Sequence, residues 1–334
     1  MTTPADTPAD AAPKSRSRYF QRFLLSVIPH VERRVQSVPR LTALGYGRRF
    51  GDLAYTLAAK ARNTAYKNLR YVYGDALDDA GRTKIVRGVF RHFGMMTMDF
   101  LRGPLLQTPA DLQELIASVS GWDDNIESVL FADRGVVICT AHFGNWELLG
   151  RYIVSQGVPL TVVARDPEDP GFAAWARRMR GSAGFAVSGK GEPARKLVSA
   201  LKRGEALAIL PDQNSGDVFV PFFGVPSGTA IGPALLAFRT NAVVVTCVAT
   251  LDADAGYKYH LAFDSPLDLH DTGDKQTDYS RTMTQINARL EARIRERPEQ
   301  WLWLHDRWKA TFEAYNREKL PKGLDLDALR ERFR

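Results

Sequence analysis

In TAHFGNWELLG, residues 140–150, an imidazole and a carboxylate stand five positions apart, His142 and Glu147. They follow directly on GVVICTA (135–141), an apolar β-branched run of the kind that forms a buried strand. A carboxylate within hydrogen-bond reach of an imidazole fixes its tautomer and makes it a better proton acceptor. No serine or cysteine stands beside the pair in a nucleophile elbow. The chemistry that fits is removal of a proton from a substrate hydroxyl, which then attacks a carbonyl, with backbone N–H groups at the start of the next helix facing the oxyanion. The competing reading is an ordinary capped turn, because a histidine and a glutamate at this spacing recur by chance.

What brings such groups together is the alternation of strands and helices that follows. Strands read at 135–141, 159–164, 205–211, 242–250 and 257–263, with helices near 146–156, 171–182, 192–203 and 231–239 and a long one over 276–296. The pattern implies βαβ units, so the expected class is α/β: a mostly parallel mixed sheet flanked by helices, its last strand pair antiparallel. Ligands bind beyond the carboxyl ends of such strands. His142, then Arg165, then Asp212 with Gln213 follow the first three strands and should converge there. Asn145 fits an N-cap, which places Glu147 in the first helical turn, facing back to His142.

Ahead of the sheet the chain reads as helical from about residue 40 to 130. The expected organisation of the 334 residues is a disordered tail over 1–15, a helical, membrane-associated region over 16–130, the α/β domain over 131–312 and a helical tail over 313–334. The tail repeats TPAD, lacks large apolar residues, and has neither the basic nor the apolar region of a signal peptide. The net charge of +7 is concentrated near the N-terminus: residues 1–73 hold 13 basic against 4 acidic side chains, the rest 32 against 34. Such asymmetry fits an anionic surface or partner, or a solvated basic face with no partner. From Tyr19 to Val31 apolar residues recur at helical spacing among arginines, with Pro29 expected to break or kink the helix. The segment is too short to span a bilayer, which takes roughly 20 residues, so it either lies on a membrane surface or faces the core.

Residues 218–238 carry no charge but too many prolines and glycines for a membrane span. They read as an irregular apolar loop that walls a groove for a hydrocarbon chain or simply covers the core. GFAVSGKG (184–191) imitates a phosphate loop without the hydroxyl residue that holds magnesium. The remaining histidines show no metal-ligand spacing, and no nucleic-acid module accompanies the basic residues. Cys139 and Cys247 both lie in apolar runs and read as buried free thiols of a reducing compartment. Trp301, Trp303 and Trp308 read either as interfacial anchors or as the edge of a packed core.

Four ordered blocks, TAHFGNWELLG, ARDPEDPGFAAWARRMRGSAG, LPDQNSGDVFVPFFGVPSGT and RPEQWLWLHDRWK, resemble those of the bacterial late lipid A acyltransferases, the lauroyl- and myristoyltransferase family. The resemblance spans about Leu44 to Lys309. It implies transfer of a fatty acyl group from acyl carrier protein, or a coenzyme A thioester, to a hydroxyl of a membrane glycolipid, with no resident cofactor or metal. It assigns His142 and Glu147 to the H-x4-D/E dyad, and Arg165, Arg180, Asp212 and Gln213 to substrate binding. The concentration of basic residues before Tyr73 and the shortness of the apolar N-terminal segment, rather than the resemblance, point to a peripheral enzyme on an anionic membrane surface, expected at the cytoplasmic face of the inner membrane, with no nucleic-acid partner. Other acceptors, a phospholipid or phosphoglycolipid, and a non-catalytic membrane-surface protein are the alternatives. The sequence departs from the family in lacking an N-terminal spanning helix, and in reading His305-Asp306-Arg307 where His-Arg-Arg is common.

Overall fold

The computed structural model describes residues 15–130, 134–164, 169–189 and 193–331. Arg165 and almost all of the expected N-terminal tail lie outside the described residues. Helices α1 (Ser15–Gln36), α2 (Arg40–Leu57), α3 (Ala59–Tyr73) and α4 (Asp79–Leu101) come first, then the short α5 (Pro109–Gln113), β1 (Ile116–Ser120) and the short α6 (Ser128–Leu130). The alternating part runs β2 (Val136–Cys139), α7 (Trp146–Ser155), β3 (Leu160–Val163), α8 (Pro170–Gly181), β4 (Ala186–Ser188), α9 (Ala194–Lys202) and β5 (Ala206–Ile209). A hairpin, β6 (Val218–Phe222) and β7 (Val225–Thr229), precedes α10 (Gly232–Thr240), β8 (Val243–Asp252), β9 (Lys258–Phe263), α11 (Lys275–Glu296) and α12 (Leu326–Glu331).

Seven strands form one sheet in the order β1-β9-β8-β2-β5-β3-β4. From β8 to β4 all neighbours are parallel, β9 runs antiparallel to β8, and β1 runs parallel to β9. Both faces are covered, which is why GVVICTA is continuously apolar. Val137, Cys139, Leu207 and Val244 pack in the cluster that includes α9, α10 and α11, while Val136, Ile138, Ala206, Ala208 and Val245 pack with α7. Both cysteines are free and buried, and burial pushes both thiols up.

Three expectations are corrected. Pro29 does not break α1, which runs through it and is tied down beyond it: Arg178 of α8 clamps Glu32 at 2.6 and 3.1 Å, and Gln36 donates to the Leu101 carbonyl at 2.8 Å. The stretch read as helical up to residue 130 contains β1, a short strand with mostly exposed side chains that pairs with β9. The charge-free segment is no irregular loop. It forms the β6–β7 hairpin, whose two prolines, Pro221 and Pro226, face each other in a two-stranded sheet that leaves room for residues without an N–H. Its turn holds Phe223 and Gly224 both at positive φ, 53° and 74°, the hand that matches strand twist. Phe222 and Phe223 pack against Trp301, Trp303 and Trp308 in the core rather than lining a groove, and all three tryptophans are buried.

Helices α2 and α4 of the N-terminal region meet through close backbone packing. A Cβ on Gly47 of α2 would lie 2.4 Å from the Gly94 carbonyl oxygen of α4, and one on Gly94 would lie 2.1 Å from that of Gly47. Neither obstacle is a movable side chain, so a methyl group at either site forces the helices apart. Gly94→Ala is expected to lower folding stability by about 1–3 kcal/mol, the usual range for overpacking, read as a fall in Cm at unchanged denaturant slope. An unchanged Cm would show that α2 and α4 separate at no cost.

Candidate active site

His142 leaves the carboxyl end of β2 and Asp212 that of the adjacent β5, so two strands in register deliver the imidazole and a carboxylate to the same point. The Nδ1–H of His142 donates to Asp212 Oδ1 at 2.8 Å, and the His142 backbone N–H donates to Oδ2 at 2.8 Å. The indole N–H of Trp301 donates to the same Oδ2 at 2.9 Å. Asp212 is 3 % exposed. Burial alone drives its pKa up, but the charge and hydrogen bond of His142, with the Trp301 indole, outweigh burial and hold it below the ordinary carboxylate range. The converse holds for His142: burial opposes the imidazolium, and the charge and hydrogen bond of Asp212 overcome it and leave its pKa raised.

The carboxylate on His142 Nδ1 is therefore Asp212, not Glu147. Glu147 does lie in the first turn of α7, and Asn145 does cap that helix, its Oδ1 accepting from the Leu148 N–H at 3.0 Å. But Glu147 Oε1 takes two hydrogen bonds from Arg180 of α8, at 3.0 and 2.8 Å. Its charge still favours the imidazolium from that distance, while Arg180 opposes it. Asp212, expected to meet substrate, has its oxygens occupied within the protein. The Gln213 carboxamide nitrogen stands 3.3 Å from His142 Nε2 and donates to its lone pair. The backbone N–H groups expected to face an oxyanion are partly engaged: Gly144 donates to the Gln300 carbonyl, Asn145 to that of Ala249 and Leu148 to the cap.

The turn carrying His142 is fixed from all sides. Gly144 sits at φ +61°, and a Cβ there would lie 1.9 Å from the Ala249 carbonyl oxygen, so only glycine fits. Its own carbonyl meets Nε2 of His92 at 3.1 Å, from α4. His92 is fully enclosed, and burial pushes its pKa down to about 4, so it is neutral and donates to that carbonyl. Trp146 packs edge-on against the His142 ring, with centroids 5.1 Å apart.

The C-terminal segment closes the site. Leu302 N–H donates to the His142 carbonyl, and Phe143 bridges to Trp301. His305 Nε2 accepts from the Asn214 backbone N–H at 3.0 Å, which leaves its proton on Nδ1; burial holds its pKa below the ordinary value. Asp306, the departure from His-Arg-Arg, pairs with Lys67 of α3 at 2.8 Å. Arg307 is wholly buried beneath the hairpin, donating to the Gly228 carbonyl and to Thr229 Oγ1; burial lowers its pKa to about 10. It holds the fold and is remote from solvent. Spacing gave no sign of the parts played by Trp301, His92 and Gln300. For Trp301 and Gln300 the trace in the sequence is the RPEQWLWLHDRWK block as a whole; for His92 there is none.

From His142 a cavity of about 580 Å³ runs between α7 and the sheet. Its deeper walls are Ile138, Leu149, Ile153, Val162 and Ala208, and its mouth holds His142, Glu147, Arg180, Gln213 and His305. Of the charge-free segment only Ala230 reaches it. The arrangement offers a proton acceptor at the rim of an apolar slot.

Comparison with known proteins shows which family the chain belongs to. Residues 12–310 match the family model described as bacterial lipid A biosynthesis acyltransferase. A lipid A biosynthesis palmitoleoyltransferase of Escherichia coli (strain K12) is 29% identical over 268 residues, covering 79% of this chain and 83% of the relative. The lipid A biosynthesis lauroyltransferase of the same organism is 28% identical over 284 residues, covering 83% and 87%. A phosphatidylinositol mannoside acyltransferase of Mycobacterium tuberculosis (strain CDC 1551 / Oshkosh) is 26% identical over 209 residues, covering 60% and 63%. With the match running over most of its length, this chain belongs to the bacterial lipid A biosynthesis acyltransferase family and is an acyltransferase.

Proposed function

We propose that the enzyme moves a fatty acyl chain from an acyl thioester, carried by acyl carrier protein, to a hydroxyl of a lipid A-type glycolipid, with His142 as general base. The observation that carries this reading is the His142–Asp212 pair at the rim of an apolar cavity. The acyl chain occupies the cavity and leaves its thioester carbonyl beside His142. Asp212 holds the Nδ1 proton, so the Nε2 lone pair is free to accept the proton of the acceptor hydroxyl once Gln213 yields its contact. The hydroxyl oxygen bonds to the carbonyl carbon, the C–S bond breaks, and the imidazolium returns its proton to the departing thiolate. Arg180, oriented by Glu147 at the mouth, binds anionic groups of the acceptor, as does Arg165. A phosphoglycolipid acceptor is the second reading, favoured by the similarity to the phosphatidylinositol mannoside acyltransferase. Mass spectrometry of products formed from an acyl-carrier-protein thioester and each lipid class separates the two.

The enzyme works, in this proposal, as a peripheral protein on the anionic cytoplasmic face of the inner membrane. No helix among the described residues is long and apolar enough to cross a membrane. On α2, Phe50, Leu53 and Leu57 are 56%, 54% and 72% exposed on one face, with Arg48 and Arg49 exposed beside them. Apolar insertion flanked by cations is the pattern of an interfacial helix.

His142→Ala is expected to lower kcat by about 10²- to 10⁴-fold. Asp212→Asn should do as much for a different reason. The two donors on Oδ2 fix the amide oxygen there, so the amide nitrogen faces His142 Nδ1 and forces the proton onto Nε2, where it blocks the base. Near-normal turnover in either variant removes the pair from the mechanism. The base must be neutral, and its pKa is raised, so the acid limb of kcat/KM is expected above the ordinary imidazole range. A limb at or below that range contradicts control of activity by this ring. Flotation with liposomes should rise with anionic lipid and fall with salt, and should weaken on replacing Phe50, Leu53 and Leu57 by serine. Equal recovery on neutral and anionic liposomes at every salt concentration overturns the surface assignment.

A further inference from the structure

The cavity has a definite inner end. Strands β2, β5 and β3 point their carboxyl ends at the mouth, and α7 runs back from the mouth, so Trp146 and Glu147 stand at the rim and Gly150 and Ile153 lie progressively deeper. Phe185 lines the same cavity but precedes β4, and thus sits at the amino end of the sheet, opposite the mouth. The ring is 7 % exposed. It lies flush on α7 because residue 150 has no side chain: a Cβ there would be 3.0 Å from Phe185 Cε1, 3.3 Å from its Cδ1 and 3.6 Å from Leu160 Cδ2. The backbone before it is pressed onto the same helix, since Gly184 adopts φ +80° and a Cβ there would be 3.0 Å from Val154 Cγ1, near the end of α7. Ring and helix are locked together.

We propose that Phe185, seated on Gly150, is the stop against which the methyl end of the acyl chain rests, and that this contact sets the chain length the enzyme transfers. The inference rests on the reading that the cavity takes the acyl chain. With the carbonyl fixed beside His142 and the ring fixed at the far end, a chain of the right length fills the slot. A longer chain meets an aromatic wall that cannot turn without displacing α7. A shorter one leaves apolar surface uncovered. Discrimination by a hydrophobic pocket is worth about 10- to 200-fold per methylene, enough to give one length a clear advantage.

The test uses the purified full chain, a series of saturated acyl thioesters from octanoyl to stearoyl, and kcat/KM measured for each. Phe185→Ala and Phe185→Leu are expected to move the optimum to longer chains, raising kcat/KM for a chain two carbons longer by about 10-fold or more relative to the wild-type optimum. Gly150→Ala pushes the ring into the slot and should move the optimum to shorter chains. If Phe185→Ala fails to fold, the leucine variant and Gly150→Ala carry the test in opposite directions. A parallel series of free fatty acids, read as the rise in melting temperature they cause, reports cavity occupancy without catalysis. Wild-type discrimination with an optimum that stays in place in every variant overturns the stop and leaves the acyl cavity standing. An enzyme that neither discriminates lengths nor is stabilised by any fatty acid overturns both.

Discussion

A single buried carboxylate organises the catalytic end of the sheet. Asp212 accepts from the backbone and ring of His142 and from the indole of Trp301. A charge so enclosed is tolerable only when its lone pairs are filled by donors. The donors come from the end of β2 and from Trp301, 89 positions beyond Asp212 along the chain. The orientation of the imidazole thus depends on the C-terminal segment being in place. That segment is held in turn by Asn68 of α3, which donates to the carbonyls of Trp303 and His305, and by Arg307 beneath the hairpin. Five remote stretches must be assembled before one nitrogen acquires its direction.

Much of this was legible in the sequence. The change from helical to alternating rhythm marked the parallel sheet, and the rule that ligands gather at strand carboxyl ends put His142, Asp212 and Gln213 in one place. The partner of the imidazole was not legible, because proximity in sequence favoured Glu147 while adjacency of strands β2 and β5 favoured Asp212, and strand order is not written in spacing. The hairpin escaped because prolines and glycines signal irregular chain, although two facing prolines suit an isolated two-stranded ribbon. β1 escaped because Ile116–Ser120 is short and fully buries only Ile116, with Val119 half-buried. The apolar walls of the cavity were ordinary strand and helix residues. What distinguishes them is the smallness of Ala208 and Gly150 on facing elements, visible only after the elements are stacked.

The N-terminal helices are keyed to the same region by a buried polar cluster. Arg40, the first residue of α2, grips both oxygens of Asp99 on α4 at 2.8 and 2.7 Å and donates to the Tyr257 carbonyl at 2.6 Å. Tyr259 of β9 donates to Asp99 at 2.7 Å. The hydroxyl stays protonated, its pKa driven well above the ordinary value by burial and by the Asp99 charge, with Asn145, the cap of α7, as a further hydrogen-bond partner. Through these contacts the helix that bears Phe50, Leu53 and Leu57 is braced against the turn that bears His142. A disturbance at the outer face of α2 therefore meets a buried ion pair before it meets the site.

His92 and His142 serve the same turn, one holding its backbone and one carried on it, and have opposite fates. His92 is enclosed and His142 is largely buried at the cavity mouth, so burial works against the charged form of each. His142 has Asp212 against it and keeps a raised pKa, whereas at His92 the Gly144 carbonyl and the Asp99 charge do not offset burial, and its pKa is pushed down to about 4. Over ordinary cellular acidity His92 behaves as a fixed amide-like donor that happens to be an imidazole. The turn is consequently pinned by a group that does not titrate, next to one that must. Its backbone can keep one shape while the residue it carries gains and loses a proton, and the protein separates the part of the loop that responds to acidity from the part that holds it still.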